Sequence, residues 1–335
     1  MLDWAKRTDT FASAMTWDMF VGGEWVPAQG GKTFGSHNPL TGELIAHVPD
    51  ASRADVDAAI TAAKKAQPAW EALPIGAKSA LFMKAAALFE ERKMHFAQAL
   101  MEETGSGFGK SMFECSLIPV SMVEAAALPT RAIGEIYPSH VPGKINRIVR
   151  KAAGVVGAIS PWNFPLFLSF RAYAYAIALG NTAVLKPSED SPLVGGLMLA
   201  QLFEDAGFPP GVFNVVTTSR EGAPMVGDAF VNDKRVDVIS FTGSTKVGQT
   251  LATAAAAVFK PTMMELGGKN ASIVLEDADI DRAVDLTFFG AFMHQGQICM
   301  STDKILVHRS LYEDFLKKLV AKTAHFAPTP PQEQT

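Results

Sequence analysis

Three stretches of this sequence carry side chains suited to covalent chemistry. Cys299 lies in Gly296-Gln-Ile-Cys-Met-Ser-Thr302. A cysteine is the best intrinsic nucleophile among side chains at neutral pH. A lone cysteine is more often a buried core residue, so the stretch alone leaves both readings open. His294 is close enough in sequence to be its base, but no third group to orient it is evident, and a surface or packing role is the better reading. Glu265 opens Glu265-Leu-Gly-Gly-Lys269 at a predicted strand end. It could be a general base or an ion-paired glutamate at a turn. Asn163 sits in Pro161-Trp-Asn-Phe-Pro165, just past another predicted strand. Prolines restrict themselves and the residue before each, so the amide is held stiffly. A stiff amide donor suits an oxyanion, and an ordinary tight turn is the alternative.

Two further stretches suit a nucleotide. Phe241-Thr-Gly-Ser-Thr-Lys-Val-Gly248 follows an apolar strand and opens a helix. A helix N-terminus offers free N–H groups and a positive dipole end to a phosphate. Gly243 would let the backbone approach closely, and Ser244 would cap the helix or bond the phosphate. A plain strand-to-helix turn fits equally well. Asn181-Thr-Ala-Val-Leu-Lys-Pro-Ser-Glu189 places Lys186 and Glu189 just past a strand end, where ligands of open α/β sheets bind. A lysine and a carboxylate there could bond ribose hydroxyls, or be no more than a surface ion pair. Cys115 has no motif around it and reads as core.

The elements that would position these residues follow from periodicity. After a short β-rich start, a helix is expected from Ser52, with Asp55 as capping-box partner. Helices over 75–103 and 110–127 follow. Residues 133–150 read as a β-hairpin or extended arm. From Gly154, apolar strands alternate with helices: strands at GVVGAIS, NTAVLKP, VFNVV and VDVISFTG, helices at about 166–178, 192–206 and from Ser244. That alternation predicts an α/β fold with a doubly wound parallel sheet, Rossmann-like, covered on both faces. A second α/β unit starts near Glu265. It has strands at ASIVL and KILVH and an amphipathic helix after Ser310. Residues 327–335 are polar and proline-rich and read as a disordered tail. The expected division is a nucleotide-binding domain over 1–132 and 151–264, the arm over 133–150, and a second, partial domain over 265–326.

Composition narrows the class. With 335 residues, two domains and a large core are affordable. A net charge of -4 lacks the basic footprint of a nucleic-acid binder. No apolar run approaches the roughly 20 residues needed to span a bilayer, so no membrane partner is expected. Two cysteines allow one disulfide but no disulfide framework, which favours a reducing compartment. Lys6 and Arg7 hint at a transit peptide, but Asp3, Asp9 and Asp18 argue against one. The expected location is cytoplasmic. No metal-ligand spacing is seen.

Read in order, PWNFP, NTAVLKPSE, FTGSTKVG, MELGGKN and GQICMS resemble the aldehyde dehydrogenase superfamily, from about Phe20 to Leu319. The flanking SPWNFPLFLSFRAYAYAIALGNTAVLKPS and AFMHQGQICMST look most like the branch that includes vanillin and benzaldehyde dehydrogenases. The resemblance implies oxidation of an aldehyde, an aromatic one in keeping with that branch, to its acid. Cys299 would form a thiohemiacetal and then a thioester, Asn163 and the Cys299 N–H would hold the oxyanion, and Glu265 would activate water. The cofactor implied is NAD, with NADP the alternative, because Glu189 would repel a 2′-phosphate. Lys186 and Glu189 would hold the adenosine ribose and Ser244 the pyrophosphate. Trp162, Gly243, Gly248 and Gly267 are assigned with them to cofactor binding.

The sequence departs from the family at its end. The resemblance implies a longer catalytic domain with a Glu-x-Phe-Gly-Pro segment, and none is found, so a C-terminal truncation is expected. The family forms homo-oligomers, and the strand that would pair with the 133–150 arm is missing too. The second unit should therefore expose an apolar face and an unpaired edge. Alternative readings are an inactive remnant, a nucleotide-binding or interaction protein, or an esterase that uses Cys299, Asn163 and Glu265 without hydride transfer.

Overall fold

The computed structural model describes residues 15–131 and 134–324. The leading segment and the expected tail over 327–335 lie outside them. Five short strands open the chain: β1 (Met15–Thr16), β2 (Met19–Val21), β3 (Glu24–Val26), β4 (Thr33–His37) and β5 (Leu44–Pro49). Three long helices follow: α1 (Arg53–Ala72), α2 (Ile75–Thr104) and α3 (Phe108–Ala127). The expected capping box starts α1, where Ser52 accepts from the Asp55 N–H and the Asp55 carboxylate accepts from the Ser52 N–H at 2.7 Å. Gly105 ends α2 in the left-handed region, φ 64°, where a side chain would be strained.

Beyond a hairpin of β6 (Gly134–Pro138) and β7 (Ile145–Val149), strands and helices alternate. They are β8 (Val155–Ile159), α4 (Pro165–Ala178), β9 (Thr182–Lys186), a π-helical turn (Leu193–Leu197) running into α5 (Met198–Ala206), and β10 (Phe213–Val215). Then come α6 (Ala223–Asn232), β11 (Val238–Thr242), α7 (Thr245–Ala257) and β12 (Thr262–Glu265). The main sheet runs β12-β11-β8-β9-β10-β2-β3. Its first five strands are parallel, and β2 and β3 extend it antiparallel.

Period-2 alternation explains why β8 and β9 read as unbroken apolar runs. Val156, Ala158, Ala183 and Leu185 face one core, built with α2 to α5. Val155 and Val184 face the other, built with α1, α6 and α7. A central strand buried on both sides has no polar face to show.

Three expectations need correction. Helix α6 was not foreseen: it is short, its apolar anchors are Val226 and Phe230, and Gly227 interrupts the pattern. Glu265 does not open the second unit, because β12 pairs with β11 and closes the main sheet. Phe108–Thr130 is long and apolar enough to cross a bilayer by length and composition alone. In the fold its inner face is packed, with Cys115, Ile118 and Met122 fully buried.

The second unit holds β13 (Asn270–Val274), α8 (Ile280–Phe292), a 3-10 turn (Met293–Gly296), β14 (Thr302–Val307) and α9 (Tyr312–Thr323). Strands β13 and β14 form a two-stranded parallel sheet over a small core of Val274, Val284 and Phe315. Ile273 is 67% and Leu306 54% exposed on it. The β6–β7 hairpin is exposed along both strands.

Candidate active site

Strands β9 and β10 follow β8 on one side of the sheet, while β11 lies on its other side. Chain order therefore reverses between β8 and β11, and the crevice at their carboxyl ends is where ligands of such sheets bind. A cleft of about 1130 Å³ opens there. Trp162, Asn163, Lys186, Glu189, Gly243, Ser244, Glu265, Gly267 and Cys299 all line it. Gly248 does not. It is buried inside α7, where a Cβ would stand 2.4 Å from Leu266 Cδ2 and 3.3 Å from the Phe241 ring. Its missing side chain lets α7 pack against Leu266 and Phe241.

At one end of the cleft, Lys186 is buried and its Nζ lies 3.0 Å from Glu189 Oε2. This is no surface pair. Glu189 Oε1 also accepts from Arg220 Nε at 3.0 Å, and Arg220 Nη2 reaches Asp190 at 3.1 Å. Burial pushes the Glu189 carboxyl up, but Lys186 and Arg220 outweigh it and hold the group below its ordinary value. At the end of β11, Ser244 caps α7, its Oγ accepting the Val247 N–H at 3.3 Å. Between α6 and α7 the cleft is mostly apolar, walled by Pro224, Val231, Val247, Leu251 and Ala254, with Asp228, Asn232 and Thr250 also lining it.

At the other end, Asn163 Nδ2 donates to the Gln297 carbonyl at 2.8 Å. This bond ties the turn after β8 to the cysteine segment. The amide nitrogen carries two protons, and the bond uses one. Glu265, at the tip of β12, stays largely exposed to the cleft, with Arg171 Nη2 3.6 Å from its Oε2. Arg171 comes from α4, one turn beyond Leu168, which also lines the cleft.

Cys299 is partly exposed, and its thiol is free. It follows a turn in which His294, Gln295 and Gly296 are all left-handed, at φ 49°, 54° and 75°. For the two non-glycine residues that conformation costs about 1–2 kcal/mol each. Packing holds the turn: His294 is buried with its ring 6.2 Å from Trp162 and 5.9 Å edge-on to Phe164. Burial, helped by the charge of Lys110, lowers its pKa to about 3. Neither ring nitrogen has a hydrogen-bond partner among the described residues. An imidazole this weakly basic, buried and packed between two rings, is a poor base for Cys299, in line with the packing reading. From the far side, Asn270 Nδ2 donates to the carbonyls of Cys299 at 2.8 Å and Ser301 at 3.1 Å.

Arg220, Arg171 and Asn270 were not found from sequence. Arg171 and Arg220 lie outside the motifs, and only folding brings them to the cleft. Asn270 stands inside MELGGKN, but nothing in spacing says that its amide meets the cysteine turn.

Residues 25–335 match the aldehyde dehydrogenase family. The chain is 44% identical over 315 residues to a vanillin dehydrogenase of Corynebacterium glutamicum, covering 93% of this chain and 64% of that protein. It thus spans less than two thirds of that relative's length. Among solved structures, a salicylaldehyde dehydrogenase from Pseudomonas putida G7, complexed with salicylaldehyde, superposes with a TM-score of 0.92 at 33% identity, over 95% of this chain and 65% of the other. An NAD-dependent benzaldehyde dehydrogenase from Corynebacterium glutamicum superposes with a TM-score of 0.88 at 44% identity, over 96% of this chain and 70% of the other. Sheet, cleft and motif order agree with this match over nearly the whole sequence, and the chain belongs to the aldehyde dehydrogenase family.

Proposed function

We propose that this chain carries the nucleotide site and reactive cysteine of an NAD-dependent oxidation of aldehydes, aromatic ones first, to carboxylic acids. The observation that carries it is convergence: Cys299, Glu265 and Asn163 line the same cleft as the Lys186–Glu189 pair and the start of α7. The residues fit a dinucleotide. The apolar slot between α6 and α7 suits a flat base, Lys186 and Glu189 suit ribose hydroxyls, and the N-terminus of α7 suits a pyrophosphate. Trp162, Gly243 and Gly267 line the path between them. The negative charge of Glu189 disfavours a 2′-phosphate.

Bound NAD would supply the hydride acceptor. Cys299 Sγ adds to the aldehyde carbon, and the oxygen takes the electron pair of the C=O bond. The second N–H of Asn163 and the Cys299 backbone N–H stabilise that oxyanion where its charge develops. Loss of hydride from the carbon leaves the acyl group on Sγ as a thioester. Glu265 then takes a proton from water, the water oxygen bonds to the acyl carbon, and the C–S bond breaks to release acid and thiolate. The vanillin, benzaldehyde and salicylaldehyde relatives support an aromatic substrate. Two free cysteines support a cytoplasmic location. Self-association through the exposed hairpin belongs to the same proposal.

The test is NADH formation at 340 nm with benzaldehyde, vanillin and a short aliphatic aldehyde, beside Cys299→Ala. The expected result is NADH formed from the aromatic aldehydes and lost in the variant. A folded chain that binds NAD but forms no NADH, or a variant that still forms it, overturns the reading.

A further inference from the structure

A buried ion pair lies beneath the cysteine site, on α3, outside every motif that carries the family resemblance. Lys110 Nζ and Glu114 Oε2 are 2.5 Å apart, with side chains 5% and 0% exposed. Two charges taken out of water gain little stability over well-packed apolar residues, so a pair of this kind calls for a role in specifying geometry.

Each member touches the site from below. Glu114 Oε1 accepts the Phe167 N–H at 3.0 Å, and the carboxylate also takes the Leu166 N–H. It therefore caps α4, the helix that begins two residues after Asn163 and carries Arg171. The Lys110 ammonium lies 4.2 Å from the centre of the Phe164 ring. Phe164 is the residue between Asn163 and that helix, and it meets His294 edge-on. His294 is the first left-handed residue of the strained turn, and its carbonyl accepts from both the backbone and the side chain of Gln297. The Gln297 carbonyl accepts from Asn163 and closes the circuit. A left-handed turn with two non-glycine residues persists only where its surroundings over-determine it. The surroundings here are Trp162, Phe164 and the cation under Phe164.

We propose that the Lys110–Glu114 pair is a positioning unit for the reactive thiol: it fixes the Asn163 turn and, through Phe164 and His294, the strained turn that presents Cys299. The catalytic consequence rests on Cys299 being the reactive thiol, while the structural one does not.

A second buried glutamate supplies the control. Glu103, at the end of α2, accepts the N–H groups of Leu193 at 3.0 Å and Val194 at 2.8 Å, and the Ser36 hydroxyl at 2.8 Å. It caps a helix in the same way, and although it borders a cavity shared with Trp162, Gln295 and Gln297, its hydrogen bonds go to Ser36, Leu193 and Val194 and none to the cysteine turn. Losing it should cost stability and leave the cysteine turn alone.

The experiment compares the full chain with Glu114→Gln, the neutral double variant Lys110→Met with Glu114→Gln, and Glu103→Gln. The double variant keeps an acceptor for the helix N–H groups and leaves no charge stranded. Amide hydrogen exchange is followed in peptides covering 293–301 and 188–197, with thermal midpoints alongside. Exchange at 293–301 should quicken about tenfold in both Glu114 variants and stay at the parent rate in Glu103→Gln, where 188–197 quickens instead. In aldehyde turnover, kcat should fall about tenfold in the double variant while the KM for NAD stays within about twofold. Unchanged exchange at 293–301 in the double variant, or equal quickening there in Glu103→Gln, refutes the positioning role. An unchanged kcat beside quickened exchange refutes its catalytic consequence. A parent chain without turnover refutes the reaction proposed above, and the exchange result still decides this one.

Discussion

Replacing Gly268 with alanine should disturb Cys299 from the side opposite the aromatic packing. Neither Gly267 nor Gly268 has a positive φ, so alanine is conformationally tolerated at both. Their surroundings differ. A Cβ on Gly268 would stand 2.8 Å from the Cys299 carbonyl oxygen and 3.1–3.2 Å from the Asn270 amide atoms. Ordinary contact begins near 3.4 Å, so the carbonyl must retreat by 3.4 − 2.8, about 0.6 Å. It cannot do so freely, because Asn270 Nδ2 holds it at 2.8 Å. Overpacking of this kind costs about 1–3 kcal/mol, and a partly exposed site should fall near the lower end. A misplacement of about 1 Å costs around a hundredfold in rate, so 0.6 Å predicts a loss of about tenfold in turnover. A Cβ on Gly267 meets only Thr245 Oγ1, at 3.7 Å. Gly267→Ala is thus the control for stability and for the rate of Cys299 alkylation by iodoacetamide, neither of which needs cofactor. The assays are the thermal midpoint, that alkylation rate and the initial rate of NADH formation. Gly268→Ala with parental stability and turnover would refute the reasoning, as would equal damage to stability in the two variants.

Thiol titration should find one fast cysteine in the native chain, Cys299, and a second only after unfolding, because Cys115 is fully buried and burial pushes its thiol to about 12; two fast thiols would contradict the packing of α3. Burial raises the Glu103 carboxyl from 4.5 to about 7, against the pull of its three hydrogen bonds. A raised acid contributes stability that is fully present below its unfolded pKa and is lost as pH rises through the folded one. Denaturant unfolding of the parent should therefore weaken between pH 5 and 8, by up to roughly 3 kcal/mol from this group, and Glu103→Gln should flatten that slope. His294 works in the opposite sense. Its pKa is lowered to about 3, so the stability of burying it neutral is present above about 6.5 and is lost as pH falls towards 3, a loss that His294→Phe should abolish. Glu189→Gln should narrow the NAD-over-NADP preference about tenfold in kcat/KM, since only the carboxylate repels the extra phosphate; an unchanged ratio would place the discrimination elsewhere.

Local chemistry made much of this protein legible in its sequence. Ser52 and Asp55 announce the start of α1 because both halves of a capping box lie within one turn. The buried strands β8 and β9 show as apolar runs because both their faces are covered. Cys299, Glu265, Asn163, Lys186 and Glu189 sit at the ends of such elements, so each motif carries its own context. The sequence could not say which polar groups meet across the cleft. Arg171 approaches Glu265 from a different helix, and Arg220 joins Glu189 from the loop after β10. Asn270 reaches the Cys299 carbonyl across two loops. Lys110 and Glu114 look like an ordinary i, i+4 surface pair until α4 and Phe164 close over them. Gly248 carries the same motif glycine whether it faces phosphate or Leu266. Periodicity and capping act over a few residues and can be read from them. The partners of a buried charge, the support of a strained turn and the room at a glycine depend on residues far apart in sequence, and only tertiary packing decides them.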